Sequence, residues 1–238
     1  MIVAWALAIT LGVLAAKVAT AAFMILPRPK PLEELSYYPS GQLVRPATFG
    51  HEGTAADLAW LRAVQYYGEH RKTDNDFHHM EHVFNVLTTL APRFEAAYVF
   101  GAFALAQEGG DFDAAERLML RGLDVNPKSG RLAFEMGFLY YVRDGGRELD
   151  RAAYYFEQSA RQANAPPQAA RFAAYARQHS GNLLVAYELW SIVALSSPNP
   201  ALREMAEREM RRIRMALETG RTENVVKVLS TPRVLLVE

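Results

Sequence analysis

The feature that most constrains this chain is a pattern of small, large and turn residues that recurs along it, seen most plainly from Asp111 to Pro127 (DFDAAERLMLRGLDVNP). Within that stretch Ala115, Met119, Gly122 and Leu123 fall at i, i+4, i+7 and i+8, one face of a helix, and Pro127 stops it. A helix with one such face must pack against others. The same pattern returns with Ala152, Tyr155 and Phe156, at an offset of 37 residues from Ala115 to Ala152, and again with Gly181, Ala186, Trp190, Val193 and Pro198, 34 residues from Ala152 to Ala186. An earlier copy holds Met80, Phe84, Leu87 and Pro92, so four copies are visible.

Each of these helices is preceded by another: Trp60 and Tyr67; Tyr98, Gly101, Ala102 and Leu105; Ala133, Met136, Gly137 and Tyr140; Ala170, Ala173 and Ala174. On those residues the chain resembles the tetratricopeptide repeat proteins. The unit in that family is about 34 residues and carries aromatic and large-small positions on a helix A, then Ala, aromatic, Ala and Pro on a helix B. The resemblance covers Thr54 to Pro198 and departs from the pattern at three places. Met80 stands where Ala is usual, Arg177 replaces the second aromatic of the fourth helix A, and the third unit is lengthened around Gly145 and Gly146. The block from Ser36 to Arg71 (SYYPSGQLVRPATFGHEGTAADLAWLRAVQYYGEHR) is also similar to the opening of bacterial single-span repeat proteins. The resemblance implies an all-α chain: a right-handed α-solenoid of about four helical hairpins over residues 54–198, small residues letting paired helices approach closely.

Composition narrows the function classes. The 26 Lys and Arg equal the 26 Asp and Glu, so no bulk charge favours a polyanionic partner, and nucleic acid is not expected. Absence of cysteine excludes disulfides, thiolate metal sites, Cys nucleophiles and a lipid-modified N-terminal cysteine.

Residues 1–26 (MIVAWALAITLGVLAAKVATAAFMIL) are apolar except for Thr10, Lys17 and Thr20. As a helix they run about 39 Å, against a hydrocarbon core of about 30 Å, and so are expected to be a transmembrane anchor. Ala19, Thr20 and Ala21 also fit the cleavage site of a signal peptide, although the basic stretch that normally opens one is missing. Lys17 within the span is expected to snorkel. Arg28 and Lys30 follow the span, which by the positive-inside rule holds the repeats in the cytoplasm. The resemblance to bacterial proteins with an export-type segment instead implies the periplasmic side of the inner membrane. Residues 27–53 read as a spacer stiffened by Pro27, Pro29 and Pro31 and as a lead-in to the repeats, with Thr54, followed by Asp57, as the expected N-cap of the first repeat helix.

One constellation invites chemistry. His78, His79, Glu81 and His82 lie together, with His70 upstream, and on a helix His78 and His82 would share a face and reach one metal or haem iron. A third protein ligand is missing and the arrangement is not H-E-x-x-H; the repeat alignment places these residues on the outer, solvated part of helix B. No cofactor is expected. There is no Gly-rich phosphate loop, no G-x-S-x-G elbow and no convincing carboxylate pair, so the chain does not read as an enzyme.

Functional content is expected instead on the inner surface of stacked A helices, a groove that a partner segment can occupy. By the repeat alignment the groove-facing positions are Gln65 and Glu69, then Val99, Phe103 and Gln107, then Phe134, Phe138 and Tyr141, then Arg171, Tyr175 and Gln178. The middle is aromatic and the edges polar, which suits a peptide or helix with apolar anchors; the competing reading packs Phe134 and Phe138 between helices. Residues 199–220 read as a capping helix, with Asn199 as N-cap, Pro200 at the first position, Gly220 as stop, an apolar stripe of Ala201, Met205, Ile213 and Leu217, and Glu204–Arg208 and Glu207–Arg211 pairs. Residues 221–238 end in Val234, Leu235, Leu236 and Val237, an apolar tail expected either to fold back or to bind another chain, including a second copy. These features describe a membrane-anchored scaffold or accessory subunit that binds a protein partner. Two alternatives are a protein handling metal or haem through the histidines, and a self-associating structural protein.

Overall fold

The computed structural model describes residues 10–18 and 39–226 and falls into two units, Met1–Tyr38 and Pro39–Glu238. In the first unit residues 10–18 are helical, with Leu11, Val13, Leu14 and Val18 exposed. Among the described residues no helix is long and apolar enough to cross a membrane. The rest of the 1–26 segment, the Pro27–Pro31 spacer and the apolar residues Val234–Val237 lie outside the described residues.

The second unit is all-α among the described residues: α1 (Gly41–Ala47), α2 (Glu52–Lys72), α3 (Met80–Leu90), α4 (Glu95–Gln107), α5 (Phe112–Val125), α6 (Gly130–Tyr141), α7 (Leu149–Ala160), α8 (Ala169–His179), α9 (Leu183–Ser196), α10 (Pro200–Thr219) and the single turn α11 (Glu223–Val226). From α2 to α10 each helix packs on the next in sequence, while α1 leans on α3, and α11 touches α8 and α10.

Local chemistry fixes the boundaries. Asp111 caps α5 by accepting the Ala114 N–H at 2.9 Å, Ser129 caps α6 through Leu132 N–H at 3.0 Å, and Asn199 caps α10 through Ala201 N–H at 3.0 Å. The helices α3, α5 and α9 each stop two residues before a proline, Pro92, Pro127 and Pro198. The intervening Ala91, Asn126 and Ser197 leave the helical region, with ψ of 74°, 62° and 128°, because a following proline ring crowds the helical conformation. Gly220 ends α10 in the left-handed region at φ 68°.

The repeat positions form the core. Ala102, Ala115, Ala152, Ala173 and Ala186 are buried, with the large side chains Tyr98, Phe84, Met119, Tyr140, Phe156 and Trp190. Gly101 shows why small residues are needed: a Cβ there would lie 2.6 Å from the Phe84 ring and 2.8 Å from a Leu118 methyl. Polar side chains join successive hairpins at their turns. Asn126 Nδ2 donates to Pro92 O at 3.2 Å, and Asn164 Oδ1 accepts from Gly130 N–H at 2.9 Å.

Two sequence expectations are corrected. Thr54 is not an N-cap; α2 begins at Glu52 with His51 before it, so Thr54 lies inside the helix. In α10 the buried face is Ala206, Ile213 and Ala216 with Met205 and Met210 beside it, whereas Ala201 and Leu217 are exposed. The helix meets α9 along that rotated stripe, together with Trp190 and Val193.

Candidate functional site

A cleft opens between α6 and α8. On α6, Phe138 and Tyr141 are three residues apart and project to the same side; on α8, Arg171, Phe172 and Tyr175 face them. The segment 142–148 between α6 and α7 closes the third wall, giving a cavity of about 650 Å³ lined also by Val142, Arg143, Asp144, Gly145, Gly146 and Arg147. Gly145 and Gly146 have φ of 84° and 148°, which lets this segment double back without strain. Its ends are held by the Arg143–Glu148 ion pair, by Glu148 N–H donating to Tyr140 O at 3.2 Å, and by Arg151 Nε on Glu148 Oε2 at 3.2 Å.

The cleft has aromatic walls and a cationic rim. Phe172 meets Tyr141 edge-on at 6.0 Å and Phe138 at 6.1 Å between centroids. The Arg147 guanidinium lies 5.2 Å from the Tyr141 ring centroid and Arg171 lies 5.5 Å from Phe172. Among the described residues neither arginine forms an ion pair, unlike Arg143. Burial pushes the Tyr175 phenol above its ordinary value, keeping it protonated; its hydroxyl lies 3.5 Å from Met205 Sδ. Next to it His179 is half-buried, and its imidazole is pushed down first by burial and then by the Arg147 cation.

The expected groove residues are distributed unevenly. Phe138, Tyr141, Arg171 and Tyr175 line the cleft, and Phe103 abuts it through Phe138 at 6.0 Å. Phe134 is 6% exposed, its ring packed against Phe156 at 5.2 Å and Phe172 at 5.4 Å, so it belongs to the core. Gln178 is 2% exposed and its amide is spent inside the protein, on Trp190 Nε1–H at 2.8 Å and Glu209 Oε2 at 3.0 Å. Gln65, Glu69 and Gln107 are exposed and Val99 half-buried, away from the cleft lining. Gln107 lines a smaller cavity of about 140 Å³ with Phe112, Leu139 and Arg143. The alignment missed Phe172, Arg147 and the rest of segment 142–147. The one signal for that segment was the added length around Gly145 and Gly146, which moves a loop over the helix face.

The histidines do not converge. The helix α3 starts at Met80, so His78 lies in the preceding turn and shares no helical face with His82. His78 Nδ1 contacts Asp76 Oδ1, and His70, itself buried, pairs through Nδ1 with Asp74 Oδ1 at 2.5 Å. The His79 ring lies against that of His78, centroids 3.8 Å apart and planes tilted by 50°, and its own backbone N–H donates to Tyr66 Oη at 3.2 Å. Among the described residues no group of three or more His, Asp or Glu is placed to hold a metal ion.

Compared with protein-family models, curated proteins and solved structures, the chain matches none.

Proposed function

We propose that this chain is a membrane-anchored scaffold or accessory subunit, and that it holds an apolar segment of a partner protein in the cleft between α6 and α8. The observation that carries the reading is the cleft itself: four aromatic side chains around a cavity of about 650 Å³, with Arg147 and Arg171 at the rim and uncommitted to any carboxylate among the described residues. Rings of this kind supply large contact area at small conformational cost, and rim charges set orientation.

In this reading the pairs α2/α3, α4/α5, α6/α7 and α8/α9 are tetratricopeptide-type hairpins stacked as a right-handed solenoid, and α10 caps the last of them. The recurring proline stops and buried alanines support it. Residues 1–26 are the single-pass anchor in the inner membrane; the apolar composition of that stretch supports this, and the export-type resemblance favours the repeats on the periplasmic side. Protease added to intact spheroplasts tests the side, since it degrades the repeats only if they lie outside.

The partner claim is tested by affinity isolation of the full-length protein from its own membranes. With Phe138→Asp and Tyr141→Asp introduced together, co-isolated chains should be lost, while Gln65→Ala should leave them. Retention of all associations in the double variant would rule out the cleft as the binding surface.

A further inference from the structure

Beside the cleft, at the end of α8, lies a histidine with one stranded nitrogen. Arg171, Tyr175 and His179 succeed one another at steps of four residues along α8. The first two line the cleft, and the His179 ring lies 5.8 Å from that of Tyr175 between centroids. His179 is half-buried, and its Nδ1 is fully buried with no hydrogen-bond partner among the described residues. A neutral imidazole has one donor and one acceptor nitrogen, whereas the cation has two donors. Protonation therefore leaves an N–H at Nδ1 with no acceptor beside it, and a buried unpaired donor is costly.

The charges around the ring act in the same direction. Arg147 reaches it from the 142–148 segment, and Glu209 and Arg212 reach it from α10. Glu209 is already committed, to Arg212 Nη1 at 2.8 Å and to Gln178 Nε2 at 3.0 Å. On α7 the acids Asp150 and Glu157 pair with Arg177 instead, while α9 and α11 meet α8 through the uncharged Leu183, Ala186, Trp190 and Val225. Burial first, and then Arg147, hold the imidazole below the ordinary 6.5, so it is neutral at pH 7. Arg147 itself is lightly held. Among the described residues its guanidinium has no ion pair and rests over the Tyr141 ring at 5.2 Å, a weak attraction where water has access. Gly145 and Gly146 just before it have φ of 84° and 148° and open space where a Cβ would stand, which leaves the backbone room to turn.

We infer that protonation of His179 opens the α6–α8 cleft: the imidazolium repels Arg147 from the Tyr141 ring, the 142–147 wall turns away on Gly145 and Gly146, and water reaches Nδ1. The closed wall opposes the proton and the open wall accepts it, so by linkage acid shifts the population towards the open form. The inference rests on the reading of the cleft as a binding site and adds its regulation. A partner that the wall helps to hold at neutral pH is released as the pH falls below about 6.5.

The chain has no cysteine, so a single introduced thiol reports on the wall without background. In solubilised full-length protein, the alkylation rate of Val142→Cys, in the cleft lining, is compared with that of the exposed Gln65→Cys, and their ratio removes the pH dependence of the thiol reaction itself. Lowering the pH from about 7.5 to about 5.5, across the range where a histidine titrates, should raise that ratio severalfold. With His179→Gln added the ratio should stay flat, and with Arg147→Gln the rise should be blunted; if one of these substitutions unfolds the protein, the other carries the test. His179→Arg, a permanent cation, should give the high ratio at both pH values. A ratio that ignores pH in the chain carrying only the thiol, or that rises equally with His179→Gln, would overturn the inference. Labelling needs no partner, so that failure leaves the partner reading standing. A wall that opens in acid, in a protein whose Phe138→Asp and Tyr141→Asp variant keeps all its partners, would sink the partner reading instead.

Discussion

The indole Nε1–H of Trp190 donates to Gln178 Oε1 at 2.8 Å, and both residues are buried. The pair ties α8 to α9, and the other end of the same amide reaches Glu209 on α10 and Val225 O on α11. One side chain therefore joins four helices at the C-terminal end of the fold. Replacing it as Gln178→Leu keeps the volume and strands the indole N–H in the core, at a cost of about 1–3 kcal/mol. Urea unfolding of the variant should show that loss, and protection of α11 amides from hydrogen exchange should fall with it.

Close helix approach at Gly101 gives a prediction of sign. Gly101→Ala drives a Cβ into Phe84 and Leu118 and should destabilise by about 1–3 kcal/mol, the usual cost of overpacking. Gly68, inside α2, would meet nothing within 4 Å, so Gly68→Ala should stabilise by about 0.4–1 kcal/mol through the unfolded chain and helix propensity. Denaturation midpoints that moved the same way for both variants would contradict this packing.

How much of this was legible beforehand follows from what each signal measures. The ends of α3, α5 and α9 were readable because a proline two residues past the end acts locally, at Pro92, Pro127 and Pro198, and the cap residues Asn199 and Gly220 delimited α10 equally locally. The N-terminal end of α2 was not, because His51 is a poor cap and Thr54 a good one by residue type alone. In the site, the aromatic positions Phe138 and Tyr141 followed from repeat phase. Phase cannot tell Phe138 from Phe134 one turn earlier, since both share a face and both meet Phe172 on another helix, while Phe134 packs in addition on Phe156 of α7. The 142–147 wall depends on where a loop folds, which no periodicity encodes.

That distinction can be measured. Phe134→Ala removes a core ring and should cost about 3–5 kcal/mol. Phe138→Ala, half-buried at the cleft, should cost clearly less stability while reducing partner association more. The two variants, compared by urea unfolding and by affinity isolation, should rank in opposite orders.

Stability should depend on pH through His179. Burial, then the cations Arg147 and Arg212, hold its folded value below the ordinary 6.5, Glu209 opposing. Between the depressed value and 6.5 the unfolded chain binds more protons, so stability rises with pH across that window and is lost as pH falls through it. His79 is pushed down in the same direction by burial and by His78. Lowering the pH from about 7.5 to about 5.5 should therefore lower the urea midpoint, and His179→Gln should reduce that drop. Glu135, pushed up by burial, works oppositely above 4.5, but it is common to both proteins, so their difference isolates His179.

The central claim, that this chain serves as a stable binding subunit, is tested most directly by the native mass of the full-length protein gently solubilised from its own membranes, with co-migrating chains identified by mass spectrometry. The account predicts a defined assembly well above 26.6 kDa plus detergent that collapses when Phe138→Asp and Tyr141→Asp are introduced. Migration of the unaltered protein as a lone 26.6 kDa chain with detergent would contradict it.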